Sequence, residues 1–442
     1  MIGLEAALGT TLATVLILLA LIIAHRSPRL ALVAALCMIC FVPIWIGARL
    51  GFNGNLFLPA AVLASLAAAL VLLPVRSFRP SPIDAVLVGL IVLAASSFIT
   101  SDPVLALSFL VTPFTYFVSG YALGRIATAR LGVDVVYRTV AVLFTIVAAL
   151  AILEFATGVN PFVGLKVDNA LFQEWGDIQL RGGLARAETA FGHSIALGAS
   201  LALAIPLTIA ARFPFALRLG MVGLMLAATV LTFSRIGIIC AFLGLALSAI
   251  FLRDRLRGRE RAGILIGGGA LAALLLPLVT DVFAVAGTEA TNSANYRSDL
   301  FSLLSQTNLV GFSDSVHRSP SGKLTFGQFV SIDSQFVLTS VTTGSLALVI
   351  VGVALVAAIL LLLRRRAEPA TIAVIAQIPA LATVALITQY AVLLWLVVGI
   401  AATSQSLLRS TRLAPGEEVT LDEPVRTTAP PPSPSLLTYP GD

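Results

Sequence analysis

The sequence predicts an all-α, polytopic membrane protein with about 12 to 13 transmembrane helices and two polar outer loops, the later one large and partly helical. Of its 442 residues, 58% are hydrophobic and only 11% are charged, and the mean hydropathy is +1.00. Apolar runs at this density belong in lipid rather than in a soluble core. A helix needs about 20 apolar residues to cross a bilayer, and Arg, Pro and Gly mark the ends of the runs.

The predicted spans follow the apolar runs in order. They lie near residues 5–24, 30–47, 56–74, 83–99, 104–123, 137–157, 191–211, 217–233, 236–252, 262–280, 338–363, 369–386 and 388–404. The last two are almost contiguous, so the count is 12 or 13. Pro113, inside the fifth span, predicts a kink because proline removes one helical hydrogen bond.

The positions of Arg and Lys predict the orientation, because positive residues near span ends stay cytoplasmic. With successive span ends assigned to alternate sides, 20 of the 28 basic residues fall on one side, which places the N-terminus outside and the tail inside. The eight on the outer side are Arg49, Lys166, Arg181, Arg186, Arg235, Arg297, Arg318 and Lys323. The pI of 9.6 therefore reflects topology rather than nucleic-acid binding. No basic region precedes the first apolar run, so we expect a retained helix rather than a signal peptide.

The first six spans carry few polar residues and are expected to form a scaffold over residues 1–157. Cys37 and Cys40 share a helix face without a second ligand pair, and Cys240 stands alone. Packing is the favoured interpretation for all three, and no disulfide or metal site is implied. Glu154, near the outer end of the sixth span, is either a functional residue or a side chain that reaches the lipid headgroups.

The first outer loop, residues 158–190, concentrates charge just before the seventh span. Lys166 and Asp168 are expected to be solvated surface charges without a role. Arg186 and His193 approach the membrane, where a charged side chain usually has a partner. For His193, a structural role is favoured over a catalytic one.

The turn Leu231-Thr232-Phe233-Ser234-Arg235 places a positive charge on the side that otherwise avoids it. Ser234 can cap the ninth span, and Arg235 then lies in the first helical turn, where the macrodipole disfavours a cation. An anion would offset that cost, and a helix N-terminus beside an arginine suits a phosphate or pyrophosphate. The alternative is an arginine that extends to the membrane interface, and we favour the functional interpretation.

The largest outer segment, about residues 281–337, is polar and long enough to be functional. Its stretch 296–304 has helical spacing of apolar residues and predicts a short amphipathic helix at the membrane surface. Residues 413–442 hold seven prolines, and we expect a disordered cytoplasmic tail over residues 406–442.

Two motifs resemble those of the O-antigen ligase and polymerase family of membrane glycosyltransferases. The turn Leu231–Arg235 looks like the family's Thr-x-Ser-Arg turn. The segment Arg186–His193 is similar to its Arg-x-x-Gly-x-Phe-x-x-Pro motif, although Ala190 and Ser194 depart from the usual residues.

The later outer loop extends the resemblance, which covers about residues 180–405. Arg297 fits the family's loop arginine, and Asn308–Phe312 loosely resembles its Pro-x-x-Gly-x-Gly turn. Asp333–Leu338 resembles its His-Asn-x-Tyr-Leu block, but the histidine is absent. Polymerases of the family often carry Ser-x-Asp there, which favours a polymerase over a ligase.

The resemblance implies an inverting transfer of a glycan from an undecaprenyl-pyrophosphate carrier to an acceptor hydroxyl, at the outer face of the cytoplasmic membrane. It implies no nucleotide sugar, cofactor or essential metal, and it makes residues 158–405 the catalytic region. The partners would be the carrier-linked oligosaccharide donor, a glycan or lipid acceptor, and membrane lipid, without nucleic acid.

Each candidate residue then has an expected role. Arginine forks suit the oxygens of the leaving pyrophosphate, and the acceptor hydroxyl needs a base within hydrogen-bond reach. Asp333 is the first choice as base, and the arginines are expected to converge on one outward cavity, with Asp333 on its rim and an apolar groove beside it. The arginines are Arg186, Arg235 and Arg297, and the further binding or base candidates are Arg181, Glu188, His193, Ser234 and His317.

Two alternatives stay open. A ligase of the same family, acting on O-antigen or protein, would differ only in its acceptor. A transporter or flippase for lipid-linked glycans would have similar hydropathy, but we would expect ionisable residues near mid-membrane and repeated halves.

Overall fold

The computed structural model of the protein describes residues 27–50, 56–73, 75, 79–100, 110–285, 296, 299–318 and 324–413. Most of these residues are helical, which confirms the predicted all-α class. The helices are α1 (Pro28–Phe41), α2 (Ala60–Val71), α3 (Pro82–Thr100), α4 (Thr112–Leu131), α5 (Val133–Thr157), α6 (Ala170–Trp175), α7 (Ser194–Ala210), α8 (Phe215–Leu231), α9 (Arg235–Phe251), α10 (Gly258–Val285), α11 (Gln335–Thr343), α12 (Ser345–Leu363), α13 (Pro369–Ala376), α14 (Ile378–Thr383) and α15 (Thr388–Leu413).

Short 3₁₀ helices and hairpins fill the connections. The 3₁₀ helices are Phe162–Gly164, Thr189–Phe191 and Phe301–Gln306. The strands form three antiparallel pairs, β1 (Gly47–Leu50) with β2 (Leu56–Pro59), β3 (Leu180–Arg181) with β4 (Leu184–Ala185), and β5 (Val316–Arg318) with β6 (Leu324–Phe326).

The buried centre of the bundle is α7. Almost every residue of this helix is buried, and it packs against α5, α8, α9, α13 and α15. Its approach to α9 is close because both helices carry glycine there: a Cβ on Gly237 would lie 3.0 Å from the Gly198 Cα. This contact fixes the start of α9, which begins at Arg235.

The first hairpin corrects two predicted spans. Residues 30–47 and 56–74 were expected to be continuous helices, but α1 ends at Phe41, two residues before Pro43, and β1 and β2 follow. At 1.5 Å per residue, α1 is about 21 Å long and α2 about 18 Å, shorter than the hydrocarbon core of a bilayer. The apolar composition is therefore shared between two short helices and a hairpin in which Leu58 and Pro59 are buried.

Breaks and extensions correct four further boundaries. Gly344, with a φ of 104°, separates α11 from α12 inside the predicted span 338–363. Gln377 separates α13 from α14 inside the predicted span 369–386. Pro113 is the second residue of α4 and follows the π-helical residues 110 and 111; residues 101–109 lie outside the described residues, so the kink stays a prediction. The helix α10 reaches Val285 and α15 reaches Leu413, so the later loop and the tail begin further along than predicted.

The bundle has two polar ends. We call the end with residues 42–50, 158–193, 231–235, 299–318 and 324–344 the loop end. We call the opposite end, with Arg79, Arg125 and residues 211–214, 252–258 and 364–368, the basic end. Within the described chain, three helices are long and apolar enough to cross a membrane, namely Val133–Thr157, Ser345–Leu363 and Thr388–Leu408, and seven shorter helices are also apolar.

The basic end contains a buried ion pair. Arg125 is 2% exposed, and its Nε and Nη2 donate to the two carboxylate oxygens of Asp84 at 3.0 and 2.7 Å. Nη1 donates to Thr403 Oγ1 and Nη2 also donates to the Arg79 carbonyl, while the Tyr121 hydroxyl donates to Asp84. This network joins α3, α4 and α15.

Candidate functional site

The turn between α8 and α9 forms the first part of the site. Ser234 caps α9 as predicted, because its hydroxyl accepts a hydrogen bond from the Gly237 N–H at 3.1 Å. Arg235 is the first helical residue, and its side chain is exposed. Phe233 is fully buried with a φ of 45°, a conformation that costs free energy for a residue with a side chain. The turn is thus a strained element held by its surroundings.

The first outer loop binds the backbone of this turn. The Arg186 Nε donates to the Thr232 carbonyl at 2.8 Å, and the Arg181 Nη1 donates to the Phe233 carbonyl at 3.2 Å. The Ala187 N–H adds a bond to the Leu231 carbonyl at 3.2 Å. Arg181, Arg186 and Arg235 therefore belong to one region, although they are far apart in the sequence.

Gln179 holds Arg186 from the other side. Its Oε1 accepts from the Arg186 Nη1 at 3.0 Å and from the Ser194 hydroxyl at 3.2 Å. Arg186 is 5% exposed, and these bonds set the direction of its guanidinium group. Residues 179 and 186 flank the β3–β4 hairpin, so the hairpin brings the two side chains together.

Glu154 has a structural role that differs from both interpretations offered by the sequence. It is 8% exposed, and its carboxylate accepts from the Thr189 N–H at 2.7 Å, the Glu188 N–H at 3.2 Å and the Asn160 Nδ2 at 2.9 Å. Thr189 has a φ of 48°, so this carboxylate stabilises a second strained backbone position. Glu154 fixes the loop on α5 rather than reaching toward headgroups.

Glu188 is a buried carboxyl of a different kind. It is fully buried, and its Oε1 accepts only a weak bond from the Gln179 N–H at 3.2 Å. Among the described residues, none forms a hydrogen bond with its Oε2. Burial raises the pKa of Glu188 to about 8, and the nearby Glu154 carboxylate adds to the increase, whereas Arg186 lowers it. At neutral pH the side chain is mostly protonated.

His193 caps α7. Its Nδ1 accepts from the Ile195 N–H at 3.1 Å, and its ring meets Trp175 edge to face at 5.4 Å. Since Nδ1 accepts a hydrogen bond, the neutral ring carries its proton on Nε2 and can donate but not accept there. The favoured structural role is therefore observed, and the base role of His193 is disfavoured.

The later outer segment folds over α11. Leu300, Leu303, Phe326 and Val337 belong to one apolar cluster. Within the predicted helix 296–304, the described residues 296, 299 and 300 are α-helical and a 3₁₀ helix over Phe301–Gln306 follows them, so the structure confirms a helical segment here. Part of its apolar face packs in this cluster, and the predicted position at a membrane surface stays a prediction.

The candidate bases in that segment differ in position. Asp333 is half-buried and directly precedes Ser334, which caps α11. His317 is exposed on β5. Arg297 lies outside the described residues, so its predicted convergence with the other arginines stays a prediction.

Residues 384–389 connect Asp333 to the loop that carries Arg186. The Gln335 N–H donates to the Val384 carbonyl at 3.2 Å, and the Gln335 Oε1 accepts from the Leu386 N–H at 2.9 Å. The Gln389 Nε2 donates to the Ala190 carbonyl at 2.8 Å and also to the Val42 carbonyl. A chain of contacts therefore links the two predicted catalytic segments at the loop end.

An apolar chamber of about 770 Å³ lies beside α11. Helices α3, α4, α11, α12, α13, α14 and α15 contribute to its wall. Its middle is lined by Ala, Val, Leu and Phe, and polar side chains lie at two ends. The polar residues at the loop end are Gln335, Thr339, Thr342 and Thr343, and those at the basic end are Arg79, Ser81, Thr371, Gln405 and Ser406.

Sequence reasoning missed several residues that hold the candidate site together. Gln179, Asn160 and Gln389 make buried or half-buried contacts that fix the site, but an uncharged amide in a loop or at a helix end gives no distinctive pattern. Of these three residues, only Gln389 has a recognisable signal in the sequence, because it interrupts an apolar run. The three cysteines are free thiols, and no group of three His, Cys, Asp or Glu side chains suited to a metal occurs among the described residues.

Comparisons with known proteins identify no relative: no family model, curated protein or solved structure matches the chain.

Proposed function

We propose that this protein is a membrane glycosyltransferase that polymerises glycan units linked to undecaprenyl pyrophosphate, at the outer face of the cytoplasmic membrane. The observation that carries the proposal is the arginine arrangement at the loop end. Two arginines are fixed on the carbonyls of a strained turn, and a third begins the helix that follows that turn. Such a combination of guanidinium groups and a helix N-terminus favours a polyanion.

The apolar helices support a membrane location. Among the described residues, three long apolar helices and seven shorter ones are compatible with a polytopic protein, and the distribution of basic residues predicts that the loop end faces outward. Single cysteines at positions 170, 320 and 258, in a chain without its native cysteines, test the orientation. An impermeant thiol reagent should label positions 170 and 320 in intact cells but not 258, and labelling at 258 would overturn the topology and the function.

The chemistry needs stabilisation of the leaving group and removal of one proton. The acceptor oxygen attacks the anomeric carbon, the bond from that carbon to the pyrophosphate oxygen breaks, and one in-line displacement inverts the configuration. Arg186 and Arg235 would stabilise the pyrophosphate, with Arg181 holding the turn and His193 Nε2 available as a neutral donor. Glu188 adds little negative charge while it is protonated.

Asp333 is the proposed base. It lies at the loop end, next to the cap of α11, and its segment is tied to residues 384–386. It is half-buried and lies two residues before Gln335, which lines the apolar chamber, and it would take the proton of an acceptor hydroxyl within hydrogen-bond reach. The exposed His317 is the second candidate.

The chamber also supports the alternative of a transporter or flippase for lipid-linked glycans, because its polar residues lie at both ends. Bond formation separates the two functions. A polymerase releases carrier pyrophosphate and lengthens the glycan, whereas a flippase changes neither. A ligase would instead leave long carrier-linked chains in a deletion strain, and a polymerase deletion would leave single units.

The decisive assay uses the full protein, purified in detergent, with the lipid-linked unit that accumulates in a strain lacking it. Wild type should form longer glycans, and Asp333→Asn should slow this transfer by about a hundredfold or more, with donor binding retained. Asp314→Asn, at an exposed carboxylate of the same segment, is the matched control. If Asp333→Asn keeps wild-type turnover while His317→Ala does not, the base is His317; if wild type forms no bond, the proposed function is wrong.

A further inference from the structure

Gln179 and Arg186 face each other across the β3–β4 hairpin. The two loop residues of the hairpin, Gly182 and Gly183, have φ values of 54° and 78°, which is the left-handed conformation that a tight two-residue turn requires. The register of the strands makes Gln179 and Arg186 the next opposed pair, and the Arg186 N–H donates to the Gln179 carbonyl at 3.0 Å. Directly opposed residues place their side chains on one face of a hairpin.

The alternation of side chains along a strand adds Arg181 to this face. Residues two positions apart in a strand point the same way, so Arg181 lies on the same face as Gln179. Accordingly, Arg181 and Arg186 donate to two successive carbonyls of the turn between α8 and α9, those of Phe233 and Thr232. The face of the hairpin toward this turn therefore carries two arginines and one amide.

Two donors fix the orientation of the Gln179 amide. Its Oε1 accepts from the Arg186 Nη1 at 3.0 Å and from the Ser194 hydroxyl at 3.2 Å. An amide turned by 180° would present its NH₂ group to both donors and lose both bonds. Ser194 is fully buried and is the first residue of α7, so the amide oxygen is held against the central helix of the bundle.

The same helix fixes the start of α9. The close approach of Gly198 and Gly237 joins α7 to α9, and Arg235 is the first residue of α9. Gln179 thus connects Arg186 to the helix that also determines where the Arg235 backbone lies. A single hydrogen bond leaves a guanidinium group free to turn about it, whereas a second bond at another nitrogen fixes its plane. Support from a rigid, buried element then keeps that plane in one position.

We propose that Gln179 is a positioning residue for the transfer reaction, which sets the direction in which Arg186 presents its guanidinium group to the leaving pyrophosphate. This inference rests on the proposed function and adds a residue to its site. Gln179 acts through Arg186 and does not touch the reacting atoms. Stabilisation of a developing charge depends on donors aimed at the place where that charge forms, and a misplacement of about 1 Å costs about a hundredfold in rate.

Two substitutions of Gln179 separate the direction of the guanidinium group from its charge. Gln179→Met has a similar length but no acceptor, so kcat for transfer should fall by about 30- to 100-fold, while KM for the lipid-linked donor stays within about threefold of wild type. Gln179→Glu keeps an acceptor for both donors but adds a negative charge beside Arg186. Its kcat should stay within about threefold of wild type and its KM should rise by about tenfold.

The assay uses the full protein in detergent with the lipid-linked unit that accumulates in a strain lacking it. Gln173→Met is the matched control, because Gln173 is an exposed glutamine on α6 in the same loop. Thermal unfolding shows whether each variant is folded. If Gln179 contributed only to stability, folded Gln179→Met and Gln179→Glu would both show wild-type kcat and KM.

A double-mutant cycle tests whether Gln179 acts through Arg186. In an Arg186→Met background there is no guanidinium group to position, so adding Gln179→Met should lower kcat by less than about twofold. If Arg186→Met does not fold, Ser194→Ala takes its place in the cycle, because it removes one of the two donors that hold the amide. Alone, Ser194→Ala should lower kcat by about three- to tenfold, and this effect should vanish in Gln179→Met.

Two results would overturn the proposal while leaving glycosyl transfer established. The first is a folded Gln179→Met variant with wild-type kcat. The second is a cycle in which the effects of the two substitutions multiply, because Gln179 would then act independently of its partner. Absence of any product from wild type would instead contradict the proposed function itself.

Discussion

Arg125 at the basic end and Arg186 at the loop end are both almost fully buried, but their hydrogen-bond partners differ. Arg125 forms a two-pronged pair with the Asp84 carboxylate, a typical means of stabilising a buried charge. Arg186 donates to a backbone carbonyl and to an amide oxygen, and these bonds orient its guanidinium group. The comparison indicates an arginine bound to a carboxylate at one end and, at the other, an arginine positioned beside the turn, for which we propose pyrophosphate binding.

The carboxyl groups differ in the same way. Asp84 is bound by Arg125 and Tyr121. At the loop end, Glu154 receives the backbone donors, whereas Glu188 is buried with few bonds and retains its proton. The carboxylate at the basic end is thus bound directly by an arginine side chain, whereas Glu154 at the loop end is bound by backbone N–H groups and an amide.

The largest effect on stability is expected from breaking the pair at the basic end. Arg125→Met leaves the Asp84 carboxylate beside an apolar side chain, and we expect the free energy of unfolding to fall by about 3 kcal/mol. Denaturant titration of the detergent-solubilised protein measures it. The control is Arg212→Met, because the Arg212 side chain is 78% exposed in its pair with Asp134 and should contribute under about 1 kcal/mol. Equal losses would contradict a structural role specific to Arg125.

At the loop end, Arg235→Lys should change activity rather than stability. Lysine retains the charge but cannot form the bidentate fork, so the transfer rate should fall by about a hundredfold. The free energy of unfolding should change by less than about 0.5 kcal/mol, since the side chain is exposed. Arg253→Lys, at an exposed arginine of the basic end, is the control for both measurements. Full activity of Arg235→Lys would support the interpretation that the side chain only extends to the membrane interface.

Glu154→Gln should destabilise the protein by about 1 to 3 kcal/mol. The substitution replaces one carboxylate oxygen by an NH₂ group. In either orientation, that NH₂ group faces donors that bind a carboxylate oxygen in the native protein. One of these donors is the Thr189 N–H, 2.7 Å from the native oxygen. Thermal unfolding and limited proteolysis within residues 158–193 would report the change. A variant as stable as wild type would show that the loop does not depend on this carboxylate.

Near pH 5, Glu188→Gln should change the free energy of unfolding least among these variants. At that pH the native side chain is protonated, and the amide resembles it. The folded protein holds this proton up to a pKa of about 8, whereas the unfolded chain releases it near 4.5. Wild-type stability should therefore fall as pH rises between these values, by up to about 1.4 kcal/mol per pH unit, and level off above pH 8. In Glu188→Gln this decline in stability should vanish. Unfolding measured from pH 5 to pH 9 tests this expectation. An unchanged decline would mean that Glu188 is ionised in the folded protein.

The sequence by itself determined the helical class, most helix positions and the Ser234 cap in the turn at residues 231–235. Apolar runs bounded by Arg, Pro and Gly are local features, and so is a serine that caps a helix. The same reasoning failed for residues 30–74, because apolar composition does not distinguish a long helix from two short helices joined by a hairpin. It also failed at Gly344 and Gln377, where helices end within continuous apolar runs.

Only the tertiary structure decided which side chains meet. Three sets of contacts join distant segments. Arg186 contacts Thr232, and Glu154 rather than Glu188 accepts the Thr189 N–H. Residues 384–389 connect Gln335 to Ala190. The chamber depends on seven helices at once. A burial-raised pKa such as that of Glu188 likewise depends on the surrounding fold, because desolvation is a property of the packed site and not of the residue type.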